Sequence, residues 1–319
     1  MIDQQFSSLA SGVLKDLTSA ADLIRRSWRE NRKQTLDYSP EFIQHLVECP
    51  GDGPVVAPTY YDNGKMIAFV VGFPRNVRLN KKMRKLLLMT FFTVAPEYKG
   101  RGLGRAIWAE CLKEAKNAGY DGALHYCVDG DPSNAITVSG ARTAGFEARR
   151  VFTISFMMRV LHTGAEQPYK GTPASVDVFL NAAASLQAEV PVQRIWSAAE
   201  ASWQMHRPGA VCVTNANGGA LTGYIIHGSD ANRRPYFFVE DILWDRLASK
   251  ERTDMLQEAL QSAARGASVA VLPILKYADL SPFAAVGFRR FPRLLHTYLT
   301  LWGEVLEGGE MPGLYMDVL

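Results

Sequence analysis

The stretch Val94-Ala95-Pro96-Glu97-Tyr98-Lys99-Gly100-Arg101-Gly102-Leu103-Gly104-Arg105 constrains this chain more than any other. It follows an apolar run, Leu86 to Val94, that reads as a buried strand. It precedes an amphipathic run, Leu103 to Ala118, that reads as a helix. Glycines and cations therefore alternate where a strand turns into a helix. Glycine lets the backbone approach a ligand closely and take positive φ. The first N–H groups of a helix have no partner within it, and the helix dipole adds positive potential, so such a turn suits a diphosphate. The stretch lacks the Gly-Lys-Ser/Thr ending of a P-loop, and its third glycine comes too early for a dinucleotide fingerprint. The plain alternative is a tight strand–helix turn carrying solvated charges.

At 319 residues the chain is long enough for two ordinary domains. A net charge of +3, dispersed along the sequence, argues against a nucleic-acid partner. Cys49, Cys111, Cys127 and Cys212 are scattered, with no Cys-x-x-Cys pair. That spacing suits a reducing cytosol and offers no structural metal site, so a cytoplasmic location and no bound metal are expected. Met1-Ile2-Asp3-Gln4-Gln5 opens without a basic leader, and no apolar run approaches the ~20 residues a membrane-spanning helix needs.

In order along the first half, Val13 to Arg29 reads as one or two helices. Ser39-Pro40 starts another, with Ser39 as N-cap. Val55 to Tyr60 and Met66 to Phe73 read as strands joined through Asn63-Gly64, a hairpin signal. Pro74 to Lys85 reads as a basic loop. The strand ending at Val94, the glycine turn and the long helix follow. Ala123 to Val128 reads as a strand, Asn134 to Ala144 as a short helix, and Arg150 to Val160 as a strand.

This order and the glycine turn resemble the GNAT acetyltransferase superfamily. Its acyl-CoA loop, Arg/Gln-x-x-Gly-x-Gly/Ala, is similar to Lys99-x-x-Gly102-x-Gly104, introduced here by Val94-x-Pro96-Glu97-Tyr98. Lys99 replaces the usual Arg or Gln and keeps a cation. Asn134 and Gly145-Phe146 stand where the family opens and closes its last helix. By this resemblance the cofactor is acetyl-CoA or another acyl-CoA. It would be held by Phe92, Thr93, Val94, Lys99, Gly100, Arg101, Gly102, Leu103, Gly104, Arg105 and Asn134. Asn134 can equally be read as an N-cap.

After a linker-like stretch at 162–175, a similar run of elements returns between Val176 and Trp302, with Gly287-Phe288 echoing Gly145-Phe146. Asp245-Arg246-Leu247-Ala248-Ser249 stands where the glycine turn would fall and holds no glycine. The expected architecture is therefore α/β (α+β, mixed sheet), with two tandem GNAT-like domains, each a central mixed sheet flanked by helices. Residues 1–161 would form the cofactor-holding domain and 176–319 a degenerate one. The tandem pattern is similar to mycothiol synthase and to N-myristoyltransferase. The latter's early Thr-Pro-Glu and its closing Gly-Leu resemble Ser39-Pro40-Glu41 and Gly313-Leu314.

The resemblance implies acyl transfer from a CoA thioester to a primary amine by direct attack, with an unidentified amine as partner. Two family features are absent: the strand carboxylate, where Thr90, Phe91 and Phe92 stand, and the helix tyrosine, which would fall at Ala141. His125 and Tyr126 on the neighbouring strand are the candidate proton-handling groups, since an imidazole titrates near neutrality. Asp129, Asp131 and Glu97 read more simply as turn or solvated charges, and Cys127 as a buried thiol. The N-myristoyltransferase resemblance adds the terminal carboxylate of Leu319 as a candidate base. Alternatives are a non-catalytic acyl-CoA-binding protein and an N-acyltransferase that uses a longer chain.

Overall fold

The computed structural model describes residues 14–29, 36–162, 174–186, 190–228, 233–304 and 309–318. These divide into two compact units. One comprises the described residues of Met1–Thr153 with Leu294–Met311, the other those of Ile154–Arg293 with Pro312–Val318.

The first unit opens with α1 (Leu17–Arg29) and α2 (Pro40–Val47). Ser39 caps α2 by accepting from the N–H of Phe42 at 3.2 Å, as its place before Pro40 implies. The first hairpin joins β1 (Thr59–Asp62) to β2 (Lys65–Leu79) through Asn63 and Gly64, both at positive φ, as the Asn-Gly signal requires. β3 (Lys82–Val94) pairs antiparallel with β2. Residues 74–85, read from sequence as a loop, instead complete these two strands around a turn at Asn80 and Lys81, both at positive φ. The cations of this stretch hide the strand alternation, because Arg75 is itself buried beside Cys49.

A single 3-10 turn, Pro96–Tyr98, leads to α3 (Leu103–Asn117), which buries Leu103, Ile107, Cys111, Leu112 and Ala115. β4 (Gly122–Val128) lies parallel to β3, and α4 (Ser133–Thr143) follows it. β5 (Ala148–Val160) belongs to this unit through Thr153.

β4's other edge is taken by β11 (Arg289–Leu301), whose residues from Leu295 to Leu301 run antiparallel to it. The sheet of the first unit is therefore β1-β2-β3-β4-β11, with β5 beside β11. β11 comes from far beyond the 162–175 stretch.

In the second unit, α5 (Val176–Ala184) and α6 (Ala198–Met205) flank a three-residue strand, β6 (Val192–Arg194), to which sequence reading assigned no element. β7 (Ala210–Asn215), β8 (Gly219–His227) and β9 (Pro235–Leu243) form an antiparallel meander. α7 (Ser249–Ala263) leads to β10 (Val269–Ile274), which is parallel to β9. β10's other neighbour is the second half of β5, antiparallel from Ser155 to Val160. α8 (Ser281–Ala285) precedes β11, and β12 (Leu314–Tyr315) pairs with β6.

Both units are thus mixed sheets with helices, and both repeat one order: an antiparallel meander, a long helix, a parallel strand, a short helix. Among the described residues no helix is long and apolar enough to cross a membrane.

Candidate functional site

β3 and β4 are paired from Leu86↔Gly122 to Met89↔His125, and there the pairing ends, although β3 runs on to Val94 and β4 to Val128. The separation begins at an irregularity. Phe91 has φ 53°, in the left-handed region that is costly for a bulky residue, and the β2–β3 register shifts at the same level. Tertiary packing holds this bulge. The Phe91 ring meets Tyr38 with centroids 5.0 Å apart, and Thr93 Oγ1 donates to the Phe91 carbonyl while accepting from Trp28 Nε1 at 3.1 Å.

Beyond the bulge, Ala95 N–H donates to the Ile67 carbonyl on β2 at 2.7 Å. Successive N–H groups of an extended strand point to opposite edges, so Val94 N–H is directed to the β4 side, where pairing has ceased. Phe92 and Val94 turn their side chains to α3. The Phe92 ring packs edge-on against Trp108, with centroids 5.4 Å apart.

The glycine turn stands at the open end of this gap. Gly100 and Gly102 have φ 76° and 81°, conformations that L residues with side chains rarely hold. Lys99, Gly100, Arg101 and Arg105 are exposed, and the Arg101 guanidinium lies 5.0 Å from the centre of the Tyr98 ring. Among the described residues, no N–H from Gly100 to Arg105 meets a protein acceptor, whereas those of Tyr98, Lys99 and Ala106 do. An uninterrupted row of free donors at the head of α3 is the arrangement an anionic diphosphate fits.

Gly104 has a different reason to be glycine. A Cβ there would lie 3.0 Å from Phe92 Cζ and 3.3 Å from Ile136 Cδ1, so the missing side chain lets α3 settle onto β3 and α4. Glu97 is ion-paired rather than a free charge. It accepts from Arg26 at 3.1 Å and Lys65 at 3.4 Å, and this tie joins α1 and the start of β2 to the turn.

On β4, His125 and Tyr126 face opposite sides of the sheet, as neighbours on a strand must. His125 is 6% exposed, with its ring 4.4 Å from Trp108. Its Nδ1 is 2.9 Å from the Met89 carbonyl and so carries a proton; its Nε2 is buried with no hydrogen-bond partner. Cys127, two residues on and 1% exposed, points to the same face, with its Sγ 3.4 Å from Thr137 Oγ1 on α4. Burial works against charge on both groups, but their mutual attraction wins. The imidazole is raised and the thiol lowered relative to their ordinary values.

Asn134 is the second residue of α4 rather than its cap. Its amide donates to the carbonyls of Val128 at 2.7 Å and Asp131 at 2.9 Å, and its Oδ1 accepts from Tyr298 Oη at 3.2 Å. Ala141 is fully buried. Leu319 lies outside the described residues.

Sequence reading missed what β11 brings. His296 and Tyr298 pair across from Cys127 and His125 and share their face. His296 Nε2 is 2.9 Å from Asp129 Oδ1, and its Nδ1 is 3.3 Å from Thr153 Oγ1. The available signal was the alternation of His296 and Tyr298 with the apolar residues of one strand. What it could not reveal was that this strand lies beside β4.

Residues 17–146 match the model of the acetyltransferase (GNAT) family. A putative glycylpeptide N-tetradecanoyltransferase of Melanoplus sanguinipes entomopoxvirus is 27% identical over 89 residues, a match spanning 28% of this chain and 30% of that relative. N-myristoyltransferase of Saccharomyces cerevisiae, in a crystal structure with bound myristoyl-CoA, superposes with a TM-score of 0.66 at 13% identity, over 92% of this chain and 82% of that one. A putative acetyltransferase from Pyrococcus horikoshii gives 0.56 at 10% identity, over 97% and 94%. At these identities the structural likenesses establish the fold, a mixed α/β architecture with two tandem GNAT-like domains.

Proposed function

We propose, from the match of residues 17–146 to the acetyltransferase (GNAT) family model, that this protein transfers an acyl group from a CoA thioester directly to a primary amine. The observation that carries the reading is the row of unpartnered N–H groups from Gly100 to Arg105, set at the mouth of the gap between β3 and β4. In this reading the diphosphate rests on those amides, with Lys99, Arg101 and Arg105 supplying positive charge. The pantetheine arm enters the gap past Asn134, and the thioester carbonyl meets backbone N–H groups of the Phe92–Val94 stretch. Donors already aimed at the developing oxyanion stabilise it without reorganisation. Cleavage releases CoA as its thiol.

The first unit holds the cofactor. The second, with no glycine in its corresponding turn, is read as degenerate. The described cysteines are all free thiols, which supports a reducing compartment such as the cytoplasm as the setting of this reading.

A longer donor than acetyl is favoured by one finding: the likeness to a fold seen with bound myristoyl-CoA. The viral relative's name adds a glycine-terminated peptide to the acceptors worth testing. The decisive experiment titrates CoA into the protein by calorimetry. It then follows thiol release from acetyl-, octanoyl- and myristoyl-CoA with small amines, amino acids and glycine-terminated peptides. Turnover with at least one pair is expected. CoA binding with no turnover on any pair would leave an acyl-CoA-binding module instead.

A further inference from the structure

β9 and β10 part in the second unit much as β3 and β4 do in the first. They are paired from Val269↔Tyr236 to Val271↔Phe238, although β9 runs on to Leu243 and β10 to Ile274. Just beyond, the β8–β9 register shifts and leaves Glu240 as the extra residue of a bulge. The chain itself takes up the backbone groups this frees. The Tyr277 hydroxyl accepts from Ile242 N–H at 2.9 Å and donates to the Glu240 carbonyl at 3.4 Å. Tyr315 lies against Tyr277, with ring centroids 4.8 Å apart.

Around this gap lies a cluster of buried charge. Its carboxylates are Glu200 on α6, Glu240 and Asp241 on β9, and Asp317; its cations are Arg194 on β6 and Arg207 after α6. None of the six is more than 7% exposed. Arg207 pairs with Glu240 at 2.7 Å, and Arg194 with Asp317 at 3.1 Å and Glu200 at 3.6 Å. Asp241 accepts from Thr222 at 2.5 Å and from Tyr315 at 2.9 Å, and Tyr315 accepts from Trp196 at 2.8 Å. Four carboxyl groups thus share two guanidinium groups, and a surplus of buried charge is costly.

Glu240 is where a proton relieves that surplus. Its Oε2 takes the bonds from Arg207 and Gln204, while its Oε1 is buried with no hydrogen-bond partner among the described residues. Burial outweighs Arg207 and raises its carboxyl to about 7. The other titratable groups around it stay neutral: burial pushes the Cys212 thiol on β7 up to about 12 and holds the phenols of Tyr277 and Tyr315 well above their ordinary value. Once Glu240 ionises, one carboxylate is best moved into water. Glu200, Glu240 and Asp241 lie within α6 and β9. Asp317 lies on the short segment 312–318, held by the two-residue pairing of β12 with β6, by Leu314 N–H on the Leu275 carbonyl at 3.0 Å and by Tyr315. Opening this segment alone costs less than opening the unit.

We propose that residues 312–318 are a strap over the gap of the second unit, seated while Glu240 carries a proton and lifted when it ionises. The device does not depend on the acyl-transfer reading.

The test is amide hydrogen exchange of the full chain, read by mass spectrometry at pH 6 and pH 8, with each rate divided by the intrinsic rate at that pH. Protection of the peptide holding Leu314–Asp317 is expected to fall about tenfold, the factor for a carboxyl at about 7 when seated and 4.5 when hydrated. Adding 1 M urea should change that peptide's protection by less than about twofold, the mark of local opening, while α7 loses protection severalfold. Glu240→Gln and Asp317→Asn should each reduce the pH-dependent fall to about twofold or less. Equal protection at both pH values, a urea dependence as steep as that of α7, or an undiminished fall in Asp317→Asn overturns the proposal. Should Glu240→Gln fold poorly, the Asp317→Asn comparison decides alone.

Discussion

Gly104 of α3 rests against the ring of Phe92 on β3, and a methyl group added to it would stand 3.0 Å from Phe92 Cζ. This contact couples the glycine turn to the bulged strand, because Phe92 follows the left-handed Phe91 and α3 begins at the turn. Gly104→Val is expected to push α3 off β3 and cost about 1–3 kcal/mol, the usual result of overpacking a tight contact. Urea unfolding with a calorimetric CoA titration checks it. An unchanged midpoint together with unchanged affinity would show that the contact has slack.

Gly102 sits at φ 81° immediately before α3, among amides with no protein acceptor. Gly102→Ala is expected to cost about 1 kcal/mol from the left-handed conformation alone. Gly102→Glu shares that strain and adds a carboxylate where phosphate would lie. Their unfolding midpoints should therefore nearly coincide. The Glu variant should bind CoA at least about tenfold more weakly than the Ala variant, about 1.4 kcal/mol. Equal affinities would place the diphosphate elsewhere.

In the second unit, Glu240 is fully buried and pairs with Arg207 at 2.7 Å, yet burial outweighs the ion pair and raises its carboxyl from 4.5 to about 7. Between those values the folded form holds a proton that the unfolded chain has released. Rising pH therefore favours unfolding, and stability present below about 4.5 is lost as pH climbs through 7. The loss is on the order of 3 kcal/mol. Asp241, raised chiefly by burial, adds in the same direction. Urea midpoints should fall from pH 5 to pH 8, with a flatter profile in Glu240→Gln. A midpoint that rises over that range contradicts the assignment.

Cys127, with its lowered thiol next to His125, raises the question of an acyl-enzyme. In direct transfer it carries no acyl group. Cys127→Ser is expected to keep turnover within about tenfold, and intact-mass spectrometry of protein mixed with donor alone should show no added acyl mass. A stoichiometric adduct lost in the serine variant would replace direct transfer with two steps.

Much of this was legible in local sequence. The Lys99–Arg105 turn, the Asn63-Gly64 hairpin and the Ser39 cap depend on backbone conformations that a few adjacent residues dictate. The alternation of strands and helices follows from their apolar periods. The bulge at Phe91 was not legible, because a phenylalanine does not choose a left-handed conformation. Tyr38, Trp28 and Thr93 hold it there. Residues 74–85 were misread for a related reason: Arg75 and Pro74 look like loop residues until their burial within β2 is seen.

The chain's own order of residues determined that a glycine turn would join a buried strand to a helix and leave a row of amides bare, since both are properties of neighbours in sequence. Tertiary structure alone decided which strand lies on the other edge of β4. Strand pairing takes place between edges and carries no sequence distance, so β11 could complete the first unit and set Tyr298 against Asn134, 164 positions apart in the chain.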